Sequence, residues 1–291
     1  EVQVLTIALG GNPNCGKSAL FNQFTGIRQK TGNWPGVTVD RKEGRFRLEQ
    51  EEVTVVDLPG IYSLGAASLD EQITRDYLLS GEAALIVNIV DAANLERNLY
   101  FTVQMREMGI PMVIALNMMD IARKHGIHLD EKRLSEQLGC PVVPIVAVTG
   151  EGLDELKRQI HQLAQTGDHA SFQVTHEDTV EQAITDLLPR FEQIDSSTSA
   201  RWLAMKLLEG DAHALSLAED NTRAKVKEWQ KIILDRAGEE ADIHIADARY
   251  GHAHALAQQV INERGKVGRT FSDRIDKLVL NRIVGIPIFM A

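Results

Sequence analysis

An α/β doubly wound, mostly parallel sheet with one antiparallel edge strand, followed by a small all-α helical domain, is predicted by three features of this 291-residue chain. Short β-rich runs alternate with helix-length stretches as far as residue 160. Several of these runs are continuously apolar, as buried parallel strands are, and beyond residue 165 the strand signal gives way to a 3.6-residue period. The chain is 44% hydrophobic and 25% charged with 8 prolines, which excludes wholesale disorder, a collagen-like chain and a disulfide-dense scaffold. The length suggests two domains with room for a sizeable core.

The predicted strands are 2–9, 45–48, 53–57, 85–91, 112–117 and 142–146. The polar link between the second and third is short enough for a turn, so this pair supplies the antiparallel edge. In the second half Val180, Ala183, Ile184, Leu187, Leu188 and Phe191 share one helical face. Further faces run through Ala200, Leu203, Ala204, Leu207 and Leu208, through Val226, Trp229, Ile232 and Ile233, and through Ala253, Leu256, Ala257 and Val260. The polar stretch 165–169 divides a first domain, 1–166, from a helical domain, 167–265, and 266–291 reads as a helical linker.

With 31 Lys+Arg against 41 Asp+Glu the formal charge is −10, so there is no general footprint for nucleic acid or an anionic membrane, and a polyanionic ligand needs a local site. Two cysteines, Cys15 and Cys140, sit in apolar segments that suit a reducing compartment. No apolar run reaches the roughly 18 residues of a spanning helix. Glu1 opens the sequence with no signal-peptide pattern.

The strongest motif is Gly11-Asn12-Pro13-Asn14-Cys15-Gly16-Lys17-Ser18, a G-x-x-x-x-G-K-S loop between the first strand and a helical stretch. Its glycines let backbone N–H groups curl around a β-phosphate, the helix N-terminus adds partial positive charge, Lys17 reaches the β and γ oxygens, and the Ser18 hydroxyl binds Mg²⁺. A glycine-rich turn with an exposed lysine is the plainer explanation, and the loop's register with strand and helix argues against it. Asn117-Met118-Met119-Asp120 ends the strand 112–117, at the carboxyl edge where doubly wound folds bind nucleotides. The Asp120 carboxylate can accept from guanine N1–H and the 2-amino group, a donor pair that adenine lacks. Asp120 is equally suited to cap a helix. The loop Val146-Ala147-Val148-Thr149-Gly150-Glu151-Gly152 can place backbone N–H groups against guanine O6.

Between these anchors, Asp57-Leu58-Pro59-Gly60 ends a strand, so Asp57 can hold Mg²⁺ through water while the Gly60 N–H bonds a γ-phosphate and lets go after hydrolysis. Gly36-Val37-Thr38-Val39-Asp40 closes a Gly/Pro-rich loop in which Thr38 offers a second Mg²⁺ hydroxyl. Taken in order, these segments make a complete small-GTPase set with Lys17, Asn14, Thr38 and Gly60 in catalytic roles. Ile61 stands where Ras-like enzymes place a water-orienting glutamine, which points to slow hydrolysis. Val146 and Val148 replace the serine and lysine common in the last loop, which leaves Ala147 and its neighbouring backbone for the base.

Three further features are weighed and set aside. His252 and His254 lie about 200° apart on a helix and cannot share a metal-ligand face, so they and His244 read as solvated or capping residues. Trp202 and Trp229 fall on helical apolar faces and read as core. Trp34, in a Gly/Pro loop with no periodic face, either packs over the switch or meets a partner.

The phosphate loop with Ala19-Leu20-Phe21-Asn22, the Gly32-Asn33-Trp34-Pro35-Gly36-Val37-Thr38 segment, Asp57 to Leu64, Leu95-Glu96-Arg97-Asn98-Leu99, His244 to Tyr250 and Asp276 to Arg282 together resemble the cytosolic N-terminal region of the prokaryotic ferrous iron transport protein B family, FeoB, over nearly the whole chain. The resemblance implies a GTPase domain, a helical domain that modulates GDP release, and a membrane region that moves Fe²⁺ beyond this segment. It implies GTP and GDP as ligands, Mg²⁺ as cofactor, and an activating K⁺ held by Asn14 with carbonyls around Gly32 and Trp34. Asn14 has a plainer explanation too, since asparagine tolerates a left-handed loop backbone. The implied partners are the family's own membrane region and small accessory iron-transport proteins, with no nucleic acid and a homo-oligomer left open. The implied place is the cytoplasmic face of the bacterial inner membrane. The apolar run 283–291 then reads as the start of a membrane helix rather than a terminal segment docked on the core. The alternative is a soluble Era-like GTPase acting in RNA and ribosome assembly, which needs a basic stripe that 174–261 does not show.

Overall fold

The structure, a computed structural model, describes residues 5–26, 29–49, 51–65, 67–167, 170–191 and 199–263. The expected linker 266–291, with the apolar run 283–291 and the 276–282 segment, lies outside the described residues. So do residues 2–4 of the first run and 168–169 of the expected boundary.

Seven strands form one sheet in the order β2-β3-β4-β1-β5-β6-β8: β1 Leu5–Gly11, β2 Gln29–Asn33, β3 Asp40–Leu48, β4 Glu51–Asp57, β5 Leu85–Asp91, β6 Met112–Asn117 and β8 Val142–Pro144. Strands β4, β1, β5, β6 and β8 are parallel, and β3 runs against β4, the antiparallel element expected from the sequence. The hairpin turns at Glu49, which adopts a left-handed φ of 54°. Outside β3 lies β2, which the sequence reading did not anticipate, with Gln29↔Gly44 through Asn33↔Asp40 in register. Every residue of β2 is exposed, so the strand carries no apolar alternation and exists only through main-chain pairing at the edge.

Side-chain period two splits β1 between two cores. Ile7 and Leu9 face a cluster closed by Leu20, Phe21 and Phe24 of α1 (Lys17–Thr25) and by Leu156, Ile160 and Leu163 of α6 (Leu153–Thr166). Ala8, with Val56, Ile86, Ile114 and Leu116, faces the other, covered by α2 (Leu69–Leu79), α3 (Leu95–Glu107) and α5 (Glu131–Leu138). α4 (Met119–Lys124) follows β6.

That second core continues without a break into α7 (Asp178–Leu187), α8 (Ala200–Leu208), α9 (Ala212–Leu217), α10 (Asp220–Ala237) and α11 (Ala241–Val260). A two-stranded antiparallel pair, β7 (Ile127–Leu129) with β9 (Ile261–Glu263), ties the end of α11 to the first half. The periodic faces behave as expected at Val180, Ala183, Ile184 and Leu187, which are fully buried. Trp202 is buried as expected. Trp229 packs against the margin of the core, half-buried, with its Nε1–H donating to Asp186 Oδ2 at 2.8 Å and Lys225 lying over its ring.

Trp34 packs rather than projects. It is buried, with its ring edge-on to Tyr77 at 5.3 Å and the Arg41 guanidinium 4.7 Å above it. His254 Nδ1 sits 2.7 Å from Glu96 Oε1, His252 lies edge-to-face with Phe172, and His244 leaves a buried Nε2 without a partner. Among the described residues no group of three or more His, Cys, Asp or Glu side chains could hold a metal ion, and no helix is long and apolar enough to cross a membrane.

His176, just before α7, is buried, and neither ring nitrogen has a hydrogen-bond partner. Burial, reinforced by Arg249 and Arg201, lowers its pKa from 6.5 to about 4. The unfolded chain therefore takes up this proton at higher pH than the native state, so the neutral histidine's contribution is complete above 6.5 and is lost as pH falls toward 4. Urea unfolding at steps between pH 7 and pH 4 should show wild-type stability falling by up to about 3 kcal/mol more than that of His176→Leu. Parallel pH profiles for the two proteins would show that the imidazole is not held neutral.

Candidate nucleotide site

Strand polarity gathers the motifs. The carboxyl ends of β1, β4, β5, β6 and β8 deliver Gly11, Asp57, Asp91, Asn117 and the loop after Pro144 to one edge of the sheet, where open α/β sheets bind ligands. Two glycines of the phosphate loop are fixed by contact. A Cβ on Gly11 would stand 2.7 Å from both Cys15 Sγ and the Ile89 carbonyl, and one on Gly16, at φ 93°, would stand 2.1 Å from Asn117 Nδ2. Gly16 caps α1, whose first residues Lys17 and Ser18 open at the loop with no acidic side chain in the first turn. Asn12 is buried and donates from Nδ2 to the Arg97 carbonyl at 3.4 Å. Asn14 is exposed with a left-handed φ of 65°, the backbone that its plainer explanation requires. Cys15 points into the core, and burial pushes its thiol up to about 11, so this residue offers the ligand only main chain.

The side chain of Asn117 closes the site from behind. Its Nδ2–H donates to the Cys15 carbonyl at 2.9 Å, and its Oδ1 accepts from the Ala147 N–H at 2.9 Å. The residue is 3% exposed, so both bonds are made out of water. The Ala147 N–H is committed to Asn117, the Val146 side chain is buried in the core, and the Val146 N–H donates to Glu151. Val148, 79% exposed, is the residue of that trio whose N–H no described residue takes.

Asp120 is not a helix cap. The cap of α4 is Met118, left-handed at φ 62°, so Asp120 falls in the first turn, half-buried, with no described partner for its carboxylate. Met119 beside it is buried. The alternative of a capping aspartate is removed, and the carboxylate is free to meet a ligand.

A cavity of about 410 Å³ has Lys17, Thr38, Val39, Asp40, Asp57, Leu58, Pro59 and Gly60 in its wall. Lys17 forms an ion pair with Asp57, so the phosphate-binding lysine and the carboxylate of the next strand converge on one point. The Ser18 and Thr38 hydroxyls and the Asp57 carboxylate are hard oxygen donors of the kind Mg²⁺ takes, so the donor set fits that ion. Gly60 packs on the phosphate loop: a Cβ there would stand 3.3 Å from Pro13 Cα and N. Leu58 donates to Leu9 at 3.0 Å and Ile61 to Gly11 at 3.4 Å. Ile61 itself is buried, 3% exposed, so it neither orients a water nor faces the cavity. Upstream, Gly36 takes φ 76°, Trp34 donates to the Val39 carbonyl at 2.9 Å, and Val37 donates to the Trp34 carbonyl at 3.2 Å. The Trp34 carbonyl thus has one lone pair left, and Gly32 lies within β2 opposite Arg41.

Sequence reasoning missed Asp70 and Lys42, which also line this cavity. Asp70 was hidden by a stronger local signal. Ser68 Oγ accepts from the Glu71 N–H at 3.2 Å, the pattern of a helix start, and an acidic residue between them reads as first-turn charge.

Residues 5–160 match the family model for ferrous iron transport protein B, and residues 176–262 match that for the FeoB cytosolic helical domain. The chain belongs to the ferrous iron transport protein B family. It is 43% identical over 298 residues to the Fe(2+) transporter FeoB of Shigella flexneri and 44% identical over 293 residues to that of Salmonella choleraesuis. In each case 98% of this chain matches 37% of the relative, so the chain spans little more than a third of the curated relatives' length. Among solved structures, a GDP-bound mutant of the S. thermophilus FeoB G-domain superposes with a TM-score of 0.83 at 38% identity, covering 89% of this chain and 100% of that one. The cytosolic domain of L. pneumophila FeoB gives 0.78 at 37%, covering 88% and 99%. The T. maritima FeoB cytosolic domain in its GMPPNP form gives 0.75 at 33%, covering 89% and 100%. The chain is therefore a P-loop GTPase G-domain followed by a FeoB helical domain, and it corresponds to the family's cytosolic part. The ribosome-assembly alternative gives way to this family.

Replacing Asn117 by alanine strips a partner from the buried Cys15 carbonyl and Ala147 N–H together. Asn117→Ala should lose about 3 kcal/mol of unfolding free energy in urea without any nucleotide. A loss below about 0.5 kcal/mol would mean that the two loops hold their places without the amide.

Proposed function

We propose that this region binds GTP and GDP with Mg²⁺, hydrolyses GTP slowly with stimulation by K⁺, and couples nucleotide state to Fe²⁺ uptake by the membrane region of a longer transporter at the cytoplasmic face of the inner membrane. The observation that carries the reading is the convergence of residues 11–18, Asp57, Gly60 and a free Asp120 carboxylate on one sheet edge. The nucleotide-bound states of the relatives support it. Small accessory iron-transport proteins are further partners on this reading. Residues 1–166 carry the nucleotide chemistry, 167–265 modulate GDP release, and 266–291 lead toward the membrane.

On this reading the residues divide the work as follows. Backbone N–H groups of 11–18 and the α1 N-terminus cradle the phosphates, and Lys17 neutralises β and γ oxygens. Mg²⁺, held by Ser18, Thr38 and Asp57, supplies charge neutralisation between those oxygens. The Gly60 N–H bonds the γ-phosphate, and Asp120 with the Val148 N–H selects guanine. Hydrolysis is slow because buried Ile61 leaves the attacking water unoriented. Asn14 and the Trp34 carbonyl hold the K⁺ that offsets charge spreading over the phosphoryl oxygens.

Asp120→Asn exchanges an acceptor for a donor opposite the purine 2-position. Competition binding with GTP, XTP and ATP should show weaker GTP binding by about 1 to 3 kcal/mol and a shift toward XTP; an unaltered GTP preference would remove Asp120 from the base site.

The wild-type GTPase rate should rise in K⁺ relative to Na⁺ at equal ionic strength, and Asn14→Ala should abolish that difference while keeping most nucleotide affinity. Equal rates in both salts would refute the K⁺ role, and a variant still stimulated would place the ion elsewhere.

A further inference from the structure

The segment after Gly60 is held from three sides. Ile61 donates to the Gly11 carbonyl of the phosphate loop at 3.4 Å, and the Leu64 N–H donates to Gln104 Oε1 of α3 at 2.8 Å. The Leu64 carbonyl accepts from Lys206 Nζ of α8 at 3.3 Å, across 142 residues of sequence. Leu64 is wholly buried and Lys206 is 4% exposed. The second partner of Lys206 is Glu209 Oε2 at 2.5 Å. Glu209 also pairs with Arg249 of α11, and Arg249 Nε donates to Glu107 Oε2 of α3 at 2.6 Å. Burial pushes the Glu209 carboxyl up, but Arg249 and Lys206 outweigh it and hold it below the usual carboxylate range. An alternating chain of buried charges thus runs from α3, through two helices of the second half, to one carbonyl in the switch segment.

Buried ion pairs are poor stabilisers, because desolvation cancels much of their attraction and an apolar side chain of similar volume often does as well. Such a pair does fix geometry. If the Leu64 carbonyl moved away, Lys206 would lose one of its two partners where water does not reach and keep only Glu209. A second buried crossing fixes the helix that follows: Arg75 of α2 donates to Asp211 Oδ2, at the start of α9, at 2.9 Å, and both side chains are 7% exposed.

We propose that Lys206 is a positioning residue that fastens residues 61–64 to the helical part, keeps Gly60 pressed against Pro13 of the phosphate loop, and so slows release of a bound guanine nucleotide. The proposal rests on the nucleotide-binding reading above and adds the route by which the helical part acts on the site.

Dissociation of mant-GDP from the full chain, chased with unlabelled GDP in excess Mg²⁺, is the test. Lys206→Met keeps the bulk and removes the donor. It should release mant-GDP about tenfold faster, within the usual range of coupling between sites, at a lower thermal midpoint because Glu209 keeps a buried charge that Arg249 shares with Glu107. Gln104→Leu, which frees the Leu64 N–H without touching the charge chain, should accelerate release in the same direction. Hydrogen exchange should quicken at amides 61–64 in both variants while β1 and β5 stay protected, a local loosening that a general loss of packing would not produce. A folded Lys206→Met with wild-type release would overturn the proposal. Should that variant not fold, unchanged release from Gln104→Leu would overturn it equally. If the wild type retains no mant-GDP, the nucleotide reading falls and this proposal with it. If the wild type retains it and both variants match it, only the proposal falls.

Discussion

A primary amide carries a donor and an acceptor on one rigid plane, and Asn117 spends both on main chain that has no other way to meet. Its Nδ2 holds the Cys15 carbonyl and its Oδ1 holds the Ala147 N–H, so the phosphate loop and the loop after β8 are spaced by the width of one side chain. The rest of the site inherits that spacing. Gly16 must be glycine because the amide occupies the place of its Cβ. The Val148 N–H has no described acceptor, and the left-handed Met118 that follows the strut caps α4 with Asp120 in its first turn. Out of water, neither amide bond can be exchanged for a solvent bond, which makes the spacing rigid.

A second constraint concerns α3. The helix is buried nearly all round, Gln104, Arg106 and Glu107 included, because the sheet lies on one side and the second half of the chain on the other. Polar side chains in that position need internal partners, and they reach across elements to find them. Arg106 donates to the carbonyls of Leu138, Gly139 and Ala170, Gln104 accepts from Leu64, and Glu107 accepts from Arg249. The helix that packs the nucleotide-binding sheet is therefore the same element that answers to the helical part. Motion in either half meets the other through bonds rather than through loose contact.

The layout was legible wherever burial leaves a periodic trace. Near-continuous apolar runs marked the central parallel strands, and the i, i+3, i+4, i+7 spacing marked α7. The phosphate loop was legible because its chemistry requires a fixed spacing of Gly, Lys and Ser. What could not be read falls into two physical kinds. The edge strand β2 and the short pair β7 and β9 are held by main-chain pairing, which has no side-chain signature. The partners of polar residues depend on tertiary placement. The bonds of the Asn117 amide to Cys15 and Ala147, and that of Trp229 at the margin of the core to Asp186, leave no trace in the spacing of the sequence. The alternative for Asp120 could be dismissed only once the cap of α4 was seen to be Met118.

Ile61 shows how one residue can fix the placement of a segment. A polar side chain after the Asp57-Leu58-Pro59-Gly60 turn would turn toward solvent and contribute little to holding the turn. Isoleucine goes the other way: it is buried with Leu58, Leu64 and Tyr77 in the core shared by both halves, and its N–H reaches Gly11. Burying such a side chain is worth about 1.5–3 kcal/mol, which anchors a segment that other demands would leave mobile. An anchored segment acts as a lever, since displacing Gly60 must then displace Ile61 and Leu64 from a core that reaches α8 and α11. Burial of Ile61 thus makes the position of Gly60 a property of the whole core.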